Sequence, residues 1–231
     1  MRNFIFYLAF IVPLLGSAQN SNIKQTGEIP VFTGLIPGVD TFDFSDKKVE
    51  GTPFLFDDWQ DGSVTLKNSV LYIHQKIKYD IYMDRILIMN PQKNVPQLIT
   101  KDRVKAFAIV TDTVDTVYFE NFMHSYYQIL CVGKATLMAK HSKHLLEADE
   151  IKGDLNTRKN DEFSHGNKKF FIMTSDKKIH KLKTNMKSIS TIFSGVSESL
   201  KEYSKENLLN LKNESDLVSL IKYYNSNLEH D

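Results

Sequence analysis

His141 and His144, three residues apart with Glu147, Asp149 and Glu150 just beyond, supply the residue types of a zinc site. Zinc needs three or four converging ligands, and a three-residue spacing puts two imidazoles on one face only in a helix. The segment leading into His141 reads as a strand, so the expectation is two exposed histidines at a strand-to-loop junction and no metal. Asp57, Asp58 and Asp61 flank Trp59, the single tryptophan, and an aromatic ring beside paired carboxylates is one form a glycosidase site takes. Carboxylates this close in sequence rarely straddle a sugar. The same residues make an Asp61-Gly62 turn with Trp59 folded back as a packing anchor, and that turn is the expectation.

The only cysteine, Cys131, lies in the apolar run from Tyr126 to Val132, with no adjacent histidine or basic residue to activate it. It reads as a small buried hydrophobe. One cysteine excludes a disulfide framework within the chain and any Cys-rich zinc or iron–sulfur site. The sequence holds no GxSxG elbow, Gly-rich phosphate loop or GxGxxG turn, which removes kinase, ATPase and dehydrogenase readings. No catalytic residue, cofactor site or metal site is assigned.

Charge is locally concentrated. Lys168, Lys169, Lys177, Lys178, Lys181, Lys183 and Lys187 face Asp176 alone over residues 168–187. Such a field suits an anionic partner: lipid headgroups, a polysaccharide or an acidic protein face. Lysines also guard hairpin edges against unwanted pairing. Over the whole chain 29 Lys+Arg balance 28 Asp+Glu, which gives no electrostatic case for nucleic acid.

These side chains must be positioned by short elements. From Phe54 to His141 the chain is a series of runs rich in β-branched and aromatic residues, spaced about ten residues apart with turn signals between them. Ile77, Tyr79 and Ile81 alternate with Lys76, Lys78, Asp80 and Tyr82, a two-residue period that predicts strand. Further strands are predicted at 86–88, 97–100, 104–110, 116–122, 126–132 and 135–141. No helical crossover interrupts them, so a parallel α/β sheet is excluded. A polar loop over 142–166 precedes a hairpin of strands 168–174 and 178–183.

After Thr184 the period changes to helical. Ile189, Ile192 and Phe193, then Val196, Leu200 and Tyr203, then Leu217, Leu220, Ile221 and Tyr224 form three short apolar stripes. Isolated helices of this length are marginal in water, so they must lean on the sheet or on each other.

At the N-terminus, Met1-Arg2-Asn3 precedes an apolar run from Phe4 to Leu15 and the small residues Gly16-Ser17-Ala18. This predicts a cleavable secretory signal cut after Ala18. The run is shorter than the roughly 20 residues that span a bilayer. Export to the periplasm or beyond is expected, and loss of Arg2 leaves the remaining charges in balance.

Three stretches carry a resemblance. Gly51-Thr-Pro-Phe-Leu-Phe-Asp-Asp-Trp59-Gln-Asp-Gly62, Ile77-Lys-Tyr79-Asp-Ile-Tyr82-Met-Asp84, and Leu200-Lys-Glu-Tyr-Ser-Lys-Glu-Asn207 with Asp216 to Asn225 resemble a family of exported proteins of Bacteroidota. Asp80 stands where that family more often has Asn. The likeness covers residues 50–227. It implies compartment and architecture, and transfers no catalytic residue.

The expected organisation is a signal peptide at 1–18, an irregular N-terminal arm at 19–50 with one short strand near Ile29 to Phe32, an antiparallel β domain at 51–183, and a C-terminal helical element at 184–231 packed on the sheet. The fold class is α+β: an antiparallel β-rich sheet, as meander, sandwich or partial barrel, with a small C-terminal helical element. The functional expectation is a soluble, exported, non-enzymatic binding or interaction module of the cell envelope without a cofactor. The alternatives are a carrier of an apolar ligand such as a lipid between sheet and helices, and an envelope hydrolase. Its partner would be an envelope protein, glycan or lipid, reached as an anionic surface through Lys168, Lys169, Lys177, Lys178, Lys181 and Lys183.

Overall fold

A computed structural model describes residues 30–37, 40–41, 49–111, 115–147 and 160–227. The predicted signal at 1–18 and residues 148–159 of the predicted polar loop, Asp149 and Glu150 among them, lie outside them. Within the described residues the strands are β1 (Val31–Phe32), β2 (Asp40–Thr41), β3 (Val49–Glu50), β4 (Gln60–Leu66), β5 (Leu71–Asp80), β6 (Arg85–Met89), β7 (Pro96–Ile99), β8 (Val104–Thr111), β9 (Asp115–Phe122), β10 (Ser125–Cys131), β11 (Thr136–Ser142), β12 (Leu145–Leu146), β13 (Asp161–Phe163), β14 (Asn167–Met173) and β15 (Ile179–Leu182). The helices are α1 (Met186–Ile192), α2 (Ser197–Glu206) and α3 (Glu214–Asn227). The fold is α+β, a mainly antiparallel sheet followed by a helical C-terminal element.

The main sheet runs β15-β14-β11-β10-β9-β8-β4-β5-β6-β7-β2, with β1 parallel to the start of β5. It rolls without closing. Tyr79 on β5 and Tyr126 on β10 are four strands apart along this order, about 19 Å in a flat sheet. Their ring centroids nevertheless lie 5.8 Å apart. Phe107 of β8 and Phe119 of β9 stack at 4.6 Å, and Tyr79 meets both edge-on at 5.3 and 5.1 Å. These rings, with Ile77, Ile86, Ile88, Ile99 and Ile109, fill the inside of the roll. The short link between β7 and β8 is possible only because of that curvature, since β8 sits at the far side of β4.

Two local devices produce the bend. His74 lies at φ 55° in the middle of β5, and the pairing with β4 slips between Gly62↔Gln75 and Val64↔Tyr72, so β5 carries one extra residue. A bulge of this kind bends its strand and flips the facing of the residues after it. Tyr72 before it and Ile77 and Tyr79 after it therefore reach the same core despite opposite parity. Gly62 is the second device. A Cβ there would stand 2.2 Å from the Ala108 carbonyl oxygen and 2.8 Å from Ile77 Cδ1.

That geometry corrects the expected Asp61-Gly62 turn. The pair lies inside β4, bonded to β5 on one side and β8 on the other. The glycine answers a close approach of backbones where local reading sees a reversal. Nor is Phe54 to Phe56 a strand. Phe54 makes a single bridge to Asp80, and the segment is pinned to the end of β5 by Leu55 N–H to Tyr79 O and Ile81 N–H to Pro53 O.

The described parts of residues 30–50 run along sheet edges as β1, β2 and β3, and Ile36 is wholly buried in the first core. A small second sheet, β12-β13-β3, adjoins the main one. Phe163 of β13 meets the Tyr82 ring at 5.4 Å.

A second core lies between the last strands and the helices. Leu137, Ile172 and Leu182 from β11, β14 and β15 pack with Ile189 and Phe193, Leu200, and Leu217, Leu220 and Ile221. The helical stripes predicted from sequence are the faces buried here. Each such side chain, fully buried, contributes about 1.5–3 kcal/mol, which these helices lack on their own. Asn185 caps α1 by accepting the Ser188 N–H at 2.9 Å.

Candidate functional site

The residues that carried the resemblance are engaged in folding. Asp80, 1% exposed, accepts the Tyr82 and Met83 N–H groups and, at 2.9 Å, Arg85 Nε, so the turn from β5 to β6 is built around it. Tyr79 Oη donates to Asp84 Oδ1 at 2.8 Å, and Lys101 Nζ donates to Asp84 Oδ2 at 2.9 Å. Burial, with Asp84 alongside, holds the Tyr79 phenol well above the usual tyrosine range. Tyr203 of α2 stacks on Tyr223 of α3 at 3.9 Å, and the Asn207 side chain donates to the Tyr203 carbonyl at the end of α2.

The two histidines do not converge. His141 is in β11 with Nε2 2.7 Å from Gln128 Oε1, the distance at which an Nε2–H donates to that amide oxygen. Burial, then the charge of Lys168, lowers its pKa to about 4. The histidine expected to be exposed is therefore half-buried and neutral. His144 and Glu147 are exposed, in extended chain where residues three apart point to opposite sides. Among the described residues no group of three His, Cys, Asp or Glu side chains is placed to hold a metal.

Asp57 and Asp58 are exposed, and Asp61 pairs with Lys76 at 2.9 Å. Trp59 is half-buried with the Lys78 ammonium 5.6 Å from its ring centre, while that ammonium also sits 4.6 Å from the Phe54 ring centre. Trp59 thus serves as a shelf for a cation and is not among the core side chains. Cys131 is buried, and burial raises its thiol pKa despite a nearby Asn225 amide.

Sequence reasoning gave no weight to Ser125 and Lys140. Lys140 Nζ donates to Ser125 Oγ at 2.7 Å, the two side chains of a serine–lysine hydrolase. Asp84 lies 3.7 Å from the same ammonium, and the Tyr127 ring centre 5.7 Å. The ammonium is thus held among Ser125, Asp84 and the Tyr127 ring.

The lysines gather at one end of the last hairpin. Lys168 and Lys169 of β14, Lys181 of β15, Lys183 beyond it and Lys212 before α3 border one open groove of about 440 Å³, with Thr184 and Asn185 in its wall; strand alternation turns Lys168 to the side of the helices, with Phe170 and Leu182, and Lys169 and Lys181 to the other. Lys169 lies directly opposite Lys140 of β11. Like charges facing across strands weaken a sheet. Lys168 is neutralised by Glu214 at 2.6 Å. Lys177 and Lys178 belong to the β14–β15 turn and do not line the groove, and Lys178 is held by Asp176 at 2.8 Å. Hydrogen bonds from Lys178 and Thr174 keep the Asp176 carboxyl well below the usual carboxylate range. Lys212 was not predicted, because it lies almost thirty residues beyond the hairpin and only the packing of α3 brings it back.

No protein-family model, curated protein or solved structure matches the chain. No helix among the described residues is long and apolar enough to cross a membrane.

Proposed function

We propose that the protein is an exported, non-enzymatic interaction module of the cell envelope that holds an anionic partner in the lysine groove. The observation that carries this reading is the gathering of five lysines from three stretches of chain around one open groove, with Lys168 paired to Glu214. Lysines kept side by side across strands cost the fold electrostatic repulsion, which an anion would relieve. Export rests on the N-terminal pattern of Arg2, the Phe4–Leu15 run and Gly16-Ser17-Ala18, and on the resemblance of residues 50–227 to exported Bacteroidota proteins. Leu137, Ile172, Leu182, Ile189, Phe193, Leu217 and Leu220 pack together between the sheet and the helices, in the space an apolar ligand would need there, which favours interaction at the surface over carriage in the interior.

Retention on an anionic resin such as phosphocellulose tests the groove. The pair Lys169→Glu/Lys183→Glu is expected to elute at clearly lower salt than Lys177→Glu/Lys178→Glu, which changes net charge equally at the turn. Equal elution of the two variants rejects the groove as the site. Fractionation of the producing cell, with sequencing of the mature N-terminus, tests export; recovery of the uncut chain from the cytoplasm rejects it.

A further inference from the structure

We infer that the lysine groove and the apolar hollow beside it together form a docking surface for an anionic lipid bilayer, an inference that rests on the anion-binding reading of the groove. Close to the groove along the chain is a second, shallow hollow of about 470 Å³ lined by Met186, Lys201, Ser204, Lys205, Leu208 and Leu209. Asn185 in the wall of the first is followed directly by Met186 in the second, and Leu209 stands three residues before Lys212.

Leu208 decides the partner. It is 89% exposed, and its φ of 51° is left-handed. Just past the end of a helix that conformation belongs to glycine or asparagine. A leucine held there gains no packing and bears backbone strain, a combination expected of sites kept for function. A soluble polyanion would engage the lysines and leave Leu208 in water. A bilayer takes both, with lysines at the headgroups and the leucine at the acyl boundary.

The surroundings give the docking a direction. Lys201 and Lys205 border Leu208, and Lys201 is bonded to Glu198 at 2.6 Å. Glu198, Glu202 and Glu206 recur every four residues on the neighbouring stripe of α2, so one flank of the helix is basic and apolar and the next is acidic. Repulsion of the acidic flank would turn the first flank toward the lipid.

The test is co-sedimentation of the purified exported chain with vesicles of equal parts phosphatidylglycerol and phosphatidylcholine, against phosphatidylcholine alone, run beside phosphocellulose retention. Binding is expected on the anionic vesicles only. Leu208→Asn suits the left-handed backbone and so keeps the fold; it should lower vesicle partition about ten-fold while leaving resin retention unchanged. Lys169→Glu/Lys183→Glu should lower both. Resin retention without vesicle binding, or equal vesicle partition of wild type and Leu208→Asn, overturns the bilayer inference and leaves the anion groove standing. Failure of the wild-type chain to bind either the anionic vesicles or the resin overturns the two readings together.

Discussion

Asn225 of α3 grips the backbone of Ala135 at the β10–β11 turn with both ends of its amide: Oδ1 accepts the Ala135 N–H at 2.9 Å and Nδ2 donates to the Ala135 carbonyl at 2.9 Å. The side chain imitates a strand neighbour. It thereby ties the last helix to a turn 90 residues earlier. The contact has no room to spare, since a Cβ on Gly133 would stand 2.2 Å from Asn225 Cγ.

Gly133→Ala should therefore destabilise by about 2–3 kcal/mol through this collision, and Asn225→Ala by about 1–3 kcal/mol through two lost hydrogen bonds at a half-buried turn. The double variant should cost clearly less than the sum, because Asn225→Ala takes away the side chain that a new Cβ at Gly133 would strike. Urea unfolding of the three variants measures it, and strict additivity would contradict the clamp.

Gly62→Ala meets a harder wall. Its nearest neighbour is the Ala108 carbonyl oxygen, part of β8 and unable to rotate away. The expected loss is about 3 kcal/mol or more, enough to leave much of the protein unfolded or aggregated on expression. A soluble variant with wild-type urea midpoint would show that β4 does not run between β5 and β8.

Tyr79→Phe removes the hydroxyl that Asp84 accepts and keeps the ring in the core. Its expected cost is about 1–2 kcal/mol, since the acceptor is charged and partly buried. Asp84→Ala should cost more. It strands the Tyr79 hydroxyl and Lys101, and places an alanine at φ 52°. Asp84→Asn, which tolerates that backbone, should fall between the two.

His141 makes stability depend on pH. Its folded pKa of about 4 lies below the ordinary value of 6.5, so between these values the unfolded chain binds a proton that the folded one refuses. Its contribution is complete above about pH 6.5 and is lost as pH falls toward 4, up to about 3 kcal/mol. His141→Gln, which keeps a neutral donor toward Gln128, should flatten that part of the profile. Urea midpoints compared across the range decide it, and parallel profiles for wild type and variant would exclude His141 as the titrating group.

The strand and helix content was legible because it depends on near neighbours. Alternation from Ile77 to Ile81 puts one side of β5 toward water, and the stripe from Leu217 to Tyr224 puts one side of α3 toward apolar surface; both follow from backbone geometry within a few residues. The lysine concentration at 168–183 was legible for the same reason. Its division was not. Sequence treats Lys177 and Lys178 like Lys169 and Lys183, whereas the hairpin carries the first pair to its tip and the second to the groove.

Sequence alone determined this protein's local periods, its single buried thiol, its charge run and the leader-like pattern at residues 1–18. Tertiary structure decided which groups meet. The extra residue at His74 and the missing Cβ at Gly62 roll the sheet, and that roll brings Tyr79 onto Tyr126, while the docking of α3 brings Glu214 onto Lys168 and Lys212 to the rim of the same groove. Such meetings depend on the accumulated curvature and register of many strands, and one added residue reverses the facing of everything after it.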